Sequence, residues 1–358
     1  MDDIIIIGGG IAGISVAARL AKYLKVTLLE QEANLGYHAS GRSAAVFIKD
    51  YGNKTVKALN HASSEYLTSA HGGVLSPRGL LLLGTKGDSN NFIKDSNDLN
   101  LDQVSIDEAR LKFPLLNSDT AKYAAYRTDV HDLDTDRLQQ IFLKEAREHN
   151  TKIEIKAKVL KIVFKSGHFR IITENNEYLA KTIVNAAGAW VDEIANLAGI
   201  SPLKFTPYRR SIARVPVPTK QDASAWPILL GVNEKWYAKP DAGQLIVSPA
   251  EEEPVPAQDA WAEDLTLAEG IDRFQQFVVH PITRITSNWA GLRTFAPDRS
   301  LVIGPAKENH NFFWFGGQGG YGFQTAAATS ELAKELILDQ PTTLPKNIVR
   351  ALSPDRFS

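Results

Sequence analysis

The sequence predicts an α/β fold, α+β overall, on three observations. The chain opens on a strand–turn–helix–strand unit, Asp2 to Glu30, with a glycine-rich turn. A second glycine-rich turn, Gly316 to Gln324, lies between a strand and a helix near the other end. Between them the text reads as antiparallel hairpins, as in Trp236 to Val247: strand, Pro-Asp-Ala-Gly turn, strand.

In the first unit four isoleucines, Ile4 to Ile7, run into Gly8-Gly9-Gly10-Ile11-Ala12-Gly13. A helical pattern with Ile14, Ala17, Ala18 and Leu20 follows, and then the apolar run Val26 to Leu29 ending on Glu30. Gly8 permits the tight turn, Gly10 lets a pyrophosphate approach the backbone, and Gly13 lets the helix pack against the sheet. Free amides at the helix N-terminus, with the positive end of its dipole, suit phosphate. Glu30 stands where an acid accepts from ribose hydroxyls. The unit reads as Rossmann-like and dinucleotide-binding, without deciding which dinucleotide.

The 358 residues suffice for two domains, and the 44% hydrophobic content for a sizeable core. A net charge of -1 points to no nucleic-acid partner. With no cysteine, disulfides, thiolate metal sites and cysteine nucleophiles are excluded. The isoleucine run is too short to span a bilayer and lacks the flanks of a signal peptide, so no transmembrane segment and a cytoplasmic location are expected.

After the first unit, Gly36-Tyr-His-Ala-Ser-Gly-Arg-Ser-Ala-Ala leads to a helix start near Ser43, where Arg42 and Ser43 offer a second anion site or a surface loop. Asn53 to Leu67 reads as a helix, Leu80 to Leu83 as a buried strand, residues 85–100 as an exposed excursion, and Val104 to Phe113 as a short helix. His131, Asp132, Asp134 and Asp136 resemble metal ligands, but helix capping by Asp134 or Thr135 explains them better, and no metal is expected. The helix beyond has Leu138, Ile141, Phe142 and Ala146 on its apolar face. Lys152 to Ile162, Phe169 to Ile172 and Glu177 to Ala180 alternate as strands. Thr182-Ile-Val-Asn-Ala-Ala-Gly-Ala-Trp190 is a buried strand ending in small residues, followed by a helix over Val191 to Leu197.

Arg209 and Arg210 fall in a strand, Glu251 to Asp264 in a loop, and Leu267 to Phe277 in a helix. Phe312 to Phe315 is a strand and Ala326 to Leu338 the closing helix. Two glycine-rich turns in one chain suit a larger dinucleotide held at both ends.

Taken together, Gly36-Tyr-His-Ala-Ser-Gly-Arg-Ser-Ala-Ala, Asp132-Leu-Asp-Thr-Asp, Val184-Asn-Ala-Ala-Gly-Ala-Trp, Arg209-Arg-Ser, Tyr237-Ala-Lys-Pro-Asp-Ala-Gly, Trp289-Ala-Gly-Leu-Arg and Gln318-Gly-Gly-Tyr-Gly-Phe-Gln-Thr resemble the D-amino-acid oxidase and glycine oxidase superfamily of FAD enzymes. Within it they are most similar to the bacterial D-arginine dehydrogenases. The resemblance implies a discontinuous FAD-binding domain over 1–75, 132–203 and 294–358, with an inserted antiparallel β-rich substrate-binding domain over 76–131 and 204–293. It implies noncovalent FAD contacted by Gly8, Gly10, Ile11, Ala12, Gly13, Glu30, Gln31, Arg42, Ser43, Ala44, Val159, Ala187, Gly188, Trp190 and the turn Gly319, Gly320, Tyr321, Gly322, Phe323 and Gln324. His38 occupies a position that carries a flavin linkage in some relatives; the D-arginine enzymes keep it without one.

The resemblance also assigns the chemistry. Arg210 and Arg293 would clamp a substrate carboxylate in the bidentate geometry that lysine cannot reproduce. Tyr51 and Tyr237 would add hydroxyls, and Gly320 and Gln324 would lie near flavin and amine. The implied reaction is oxidative deamination of a D-amino acid, with hydride passing from Cα to flavin N5 and the imino acid hydrolysing to keto acid and ammonia. No obligatory protein base is expected. Three positions depart from the D-arginine enzymes, all toward lower polarity: Leu80 replaces a glutamate that meets the distal cation, Val46 a histidine and Ile48 a threonine. An apolar substrate side chain is therefore expected over D-Arg, unless Glu234, Glu251 or another acid substitutes. A glycine, sarcosine or secondary-amine oxidase using O₂, and an FAD-binding non-catalytic subunit of a heteromeric amine dehydrogenase, are the competing readings. The electron acceptor, whether quinone, O₂ or a carrier, stays open.

Overall fold

The computed structural model describes residues 1–217 and 222–357. Its first sheet has eight strands. Asp2–Ile7 lies at the centre, parallel to Val26–Leu29 on one side and to Glu177–Asn185 on the other. Lys152–Glu154 and Phe312–Gly316 extend the parallel block outward. The isoleucine run fits this place because both faces are covered. Ile4 and Ile6 belong to one core cluster with the helices Ile11–Leu20, Lys54–Ser69, Thr135–Glu148 and Gly322–Ile337, while Ile5 and Ile7 belong to another with Val191–Leu197 and the antiparallel strands beside it. The alternation follows from successive side chains pointing to opposite faces.

The runs at Glu177 and Thr182 form one strand, Glu177–Asn185. Its first half pairs with His168–Thr173, and its second half with Phe312–Gly316. The segment Lys152 to Ile162 is interrupted: Lys152–Glu154 joins the parallel block, Lys156 turns at φ 53°, and Val159–Lys165 starts an antiparallel ladder.

The second sheet has nine strands in the order Glu253–Pro254, Thr206–Pro216, Gln244–Ser248, Tyr237–Asp241, Ile228–Gly231, Leu80–Gly84, Tyr123–Arg127, Asp102–Val104, with Ser287–Phe295 also on Thr206–Pro216. The last of these runs across the expected boundary at 293/294. A three-stranded sheet of Val46–Phe47, His131–Leu133 and Leu75–Pro77 bridges the junction.

Three expectations are corrected. Residues 85–100 are not an open excursion: a Thr85–Asp88 capping box leads into the helix Ser89–Asp98, whose Phe92 is buried with Leu99 and Leu101. No helix starts near Ser43; a 3-10 turn covers Ala39–Arg42 and the chain then extends into Val46–Phe47, because Val46 pairs with Asp132. The closing helix starts at Gly322, before Ala326, its first turn being formed by the glycine-rich text itself.

Candidate active site

The glycine-rich turn is built as its residue types require. Gly8 holds φ +111°, and a Cβ there would fall 2.3 Å from the Ala186 carbonyl oxygen. A Cβ on Gly13 would fall 1.9 Å from the Gly8 carbonyl oxygen. Gly13 therefore brings helix and strand together behind the turn; it is not among the cavity-lining residues, in contrast to the contact expected of it. The Glu30 carboxylate accepts from the Gly9 amide at 2.7 Å and the Glu32 amide at 2.8 Å, so it braces the turn while lining the cavity. The Ile11 amide donates to Ser40 Oγ at 2.9 Å, tying the helix N-terminus to the next segment.

One cavity runs from this turn, along Gln31, Ser43, Ala44, Val159, Ala187, Gly188 and Trp190, to Arg210, Tyr237, Arg293 and the second glycine turn. Of the expected site residues, all but Gly13 and Tyr321 line it. The Tyr321 ring packs against Tyr51 and Phe295, with centroids 5.6 and 6.0 Å apart, and so supports Tyr51 from behind. Arg42 lines the cavity, but its guanidinium is taken up by Asp259 and the carbonyls of Ala260 (2.8 Å) and Ala290 (3.0 Å). It fastens the 255–263 loop over the cleft rather than presenting a free cation.

At the far end Arg210 stands opposite Gly291 and Arg293 opposite Tyr208 on the paired strands Thr206–Pro216 and Ser287–Phe295. Both arginines therefore share one face, whereas Arg209 points the other way to Glu253 and Glu263. The Arg293 guanidinium lies against the Gly320 backbone, where a Cβ would meet Cζ at 3.0 Å. Among the described residues it has no hydrogen-bond or ion-pair partner, so its donors remain for a ligand. Arg210 is 6% exposed, reaches Glu252 at 3.3 Å and leaves Nε unpartnered. Burial and then the like charge of Arg293 hold Arg210 below its ordinary value. The Tyr51 hydroxyl donates to Glu234 at 3.0 Å, and burial followed by that carboxylate pushes the phenol up. Gln324 Oε1 accepts from the Ile48 amide at 3.4 Å.

The wall opposite is apolar. Leu80 pairs with Ile228, and both line the cavity with Val46, Ile48 and Leu230. Sequence reasoning held Glu234 only as an alternative partner. It lies on a turn with two left-handed residues, Asn233 at φ 59° and Glu234 at φ 50°, and lines the cavity beside Tyr51, whereas Glu251 does not line it. The unusual backbone that aims it has no signature in the sequence.

The donor set fits a long dinucleotide. The cradle at Gly8 and Gly10 and the helix amides suit its phosphates, and the small-residue wall at Ala186 to Ala189 leaves room for a flat ring. Among the described residues no cluster of acids and histidines could hold a metal, and no helix is long and apolar enough to cross a membrane.

Comparison with solved structures gives glycine oxidase from Geobacillus kaustophilus at a TM-score of 0.83 and 19% identity, over 98% of both chains. L-proline dehydrogenase from P. horikoshii gives 0.83 and 22%, over 99% of this chain and 97% of that one. Iminodiacetate oxidase from Chelativorans sp. BNC1 gives 0.81 and 19%, over 98% of both. Among curated proteins, human mitochondrial dimethylglycine dehydrogenase is 23% identical over 388 residues, which is 99% of this chain and 44% of that protein. The chain thus spans less than half the length of that relative. The family described as FAD dependent oxidoreductase matches residues 3–336, nearly the whole chain, and the protein belongs to that family, with FAD as its cofactor.

Proposed function

We propose that the protein oxidatively deaminates D-amino acids, preferring apolar side chains to D-Arg. The observation that carries this reading is the pair Arg210 and Arg293 on one strand face beside an apolar wall, in a cavity continuous with the dinucleotide cradle. Two guanidiniums would hold the substrate carboxylate, and Tyr237 and Tyr51 would add hydroxyls. Glu234, beside Tyr51, offers the ammonium end its counter-charge. Leu80, Val46, Ile48, Ile228 and Leu230 would receive the side chain; a guanidinium against them would lose its hydration uncompensated, at a cost of several kcal/mol. Bound FAD supplies the two-electron acceptor for the hydride leaving Cα. The chain's own work is to fix the carboxylate and exclude water; hydride leaves only from the neutral amine, so the ammonium form held by Glu234 first gives its proton to solvent. The cofactor is noncovalent in this reading, and the chemistry is of the D-arginine dehydrogenase type with an altered side-chain pocket.

A second reading is favoured by the names of the relatives: dimethylglycine dehydrogenase, glycine oxidase and iminodiacetate oxidase imply a glycine-type or secondary amine. The same clamp would hold such a carboxylate, with the apolar wall taking an N-substituent. An anaerobic screen of the holoprotein against D- and L-amino acids, sarcosine and dimethylglycine, read as bleaching of the flavin band, decides between them. Fast bleaching by D-Leu or D-Met with little by D-Arg is expected. Bleaching only by N-methylated glycines overturns the first reading, and none by any amine overturns both. Peroxide yield in air then separates an oxidase from a dehydrogenase.

A further inference from the structure

Lys239 is a buried lysine that the chemistry above leaves unused. It lies on the strand Tyr237–Asp241, two residues beyond Tyr237 and on the same face, with its side chain 8% exposed. Its ammonium donates to Asp132 at 2.7 Å and to the Ala44 carbonyl at 3.2 Å. Asp132 also accepts from Arg78 Nε at 2.8 Å and from its Nη2, while Arg78 Nη1 donates to the carbonyls of Ser224 and Trp226 at 2.6 and 2.8 Å. Two cations thus share one carboxylate, leaving the cluster one positive charge in excess.

The cluster sits where three parts of the fold meet. Lys239 comes from the nine-stranded sheet, Asp132 from the three-stranded sheet, and Ala44 from the segment Ser43–Val46 that lines the cavity. Around it, Val46 pairs with Asp132, the Ala45 carbonyl accepts from the Leu133 amide at 3.3 Å, and Trp289 donates to the Arg42 carbonyl just before it at 3.1 Å; at Ala44 itself the Lys239 ammonium is the polar partner. A stretch of mostly small residues facing the cofactor cleft is therefore fastened from behind by a lysine of the other sheet.

We propose that Lys239 is a positioning residue that fixes the Ser43–Val46 segment against FAD, so that the substrate-side sheet sets how the cofactor is held. The inference rests on the assignment of FAD as cofactor. A buried lysine is expensive to desolvate. Here the expense secures a single backbone arrangement that an apolar side chain could not bond.

The test uses the purified holoprotein and its Lys239→Met, Lys239→Gln and Lys239→Arg variants. Lys239→Met leaves Asp132 and Arg78 as a neutral pair, so the junction stays charge-matched and foldable. Flavin release on dilution, followed by fluorescence, should be about tenfold faster in Lys239→Met, as loss of a charged hydrogen bond implies. The visible flavin bands and the reduction potential should shift with it. Lys239→Gln, with an uncharged and shorter donor, should fall between, and Lys239→Arg should stay near wild type. Wild-type release and spectra in both Met and Gln variants would overturn the proposal, as would equal flavin loss in Lys239→Arg or a lowered Tm with spectrum and potential unmoved. A wild-type protein that holds no FAD would instead refute the cofactor assignment.

Discussion

Arg210 and Arg293 are diagonal neighbours on one face of two antiparallel strands, since Arg210 opposes Gly291 and Arg293 lies two residues further along. Such neighbours have Cβ atoms about 7 Å apart, a spacing that lets two guanidiniums converge on one carboxylate. Gly291, opposite Arg210, faces the Ala39–Arg42 turn, where a Cβ would meet Arg42 Cβ at 3.5 Å.

Removing either arm should therefore cost turnover more than folding. Arg210→Met and Arg293→Met are expected to retain FAD while lowering kcat/KM about 100-fold or more, the scale of losing a buried charge partner. Arg293→Lys should recover little, because its fork lies flat against Gly320. Steady-state kinetics with flavin content measured in parallel checks this; unchanged kcat/KM in Arg293→Met would end the clamp assignment.

The apolar wall makes a prediction about side chains. Wild-type kcat/KM for D-Arg should lie well below that for D-Leu, and Leu80→Glu should narrow the gap by about tenfold, as one charge-assisted pair is restored. Leu80 is 1% exposed but its neighbours open to the cavity, so the carboxylate can reach a substrate cation. Competition assays with both amino acids measure the ratio.

Gly13 offers a test of the cradle. Alanine there would drive a methyl carbon into the Gly8 carbonyl, 1.9 Å away, so helix and strand must separate. Gly13→Ala should lose about 2–4 kcal/mol of stability and most bound flavin. Thermal melts with absorbance at the flavin band read both.

Glu251 predicts a pH effect. Burial holds its carboxyl above the ordinary value, against the opposing pull of the Ser211 amide, which donates to it at 2.6 Å, and of Arg210. A folded-state pKa above the unfolded value means that its contribution is fully present below the usual glutamate value of about 4.3 and is lost as pH rises through the raised one. Glu251→Gln keeps the oxygen facing Ser211 and carries no charge. Its stability relative to wild type should therefore grow from pH 4 to pH 7 in urea melts at fixed FAD. A constant difference across that range would contradict the assignment.

Short-range text determined much of this protein. The cap at Asp134 and the hairpin at Pro240 to Gly243 depend on contacts within a few residues, where residue type and spacing already select one backbone, and the isoleucine strand and the glycine turn carry their signature in residue type even though distant strands complete them. The parity of Arg209 and Arg210 was equally local: adjacent strand residues must face apart. What only the tertiary structure decided lies between distant segments. Arg42 became a fastener because Asp259, 217 residues away, reaches it. Within 85–100, Ser89–Asp98 became a helix because Phe92 found a core to enter, and Tyr321 turned to Tyr51 and Phe295 rather than to the cavity. Glu234 beside Tyr51 and Lys239 behind Ala44 belong to the same class. The physical reason is that a polar side chain's role is set by whichever partner lies within about 3 Å, and for these residues that partner comes from another part of the chain.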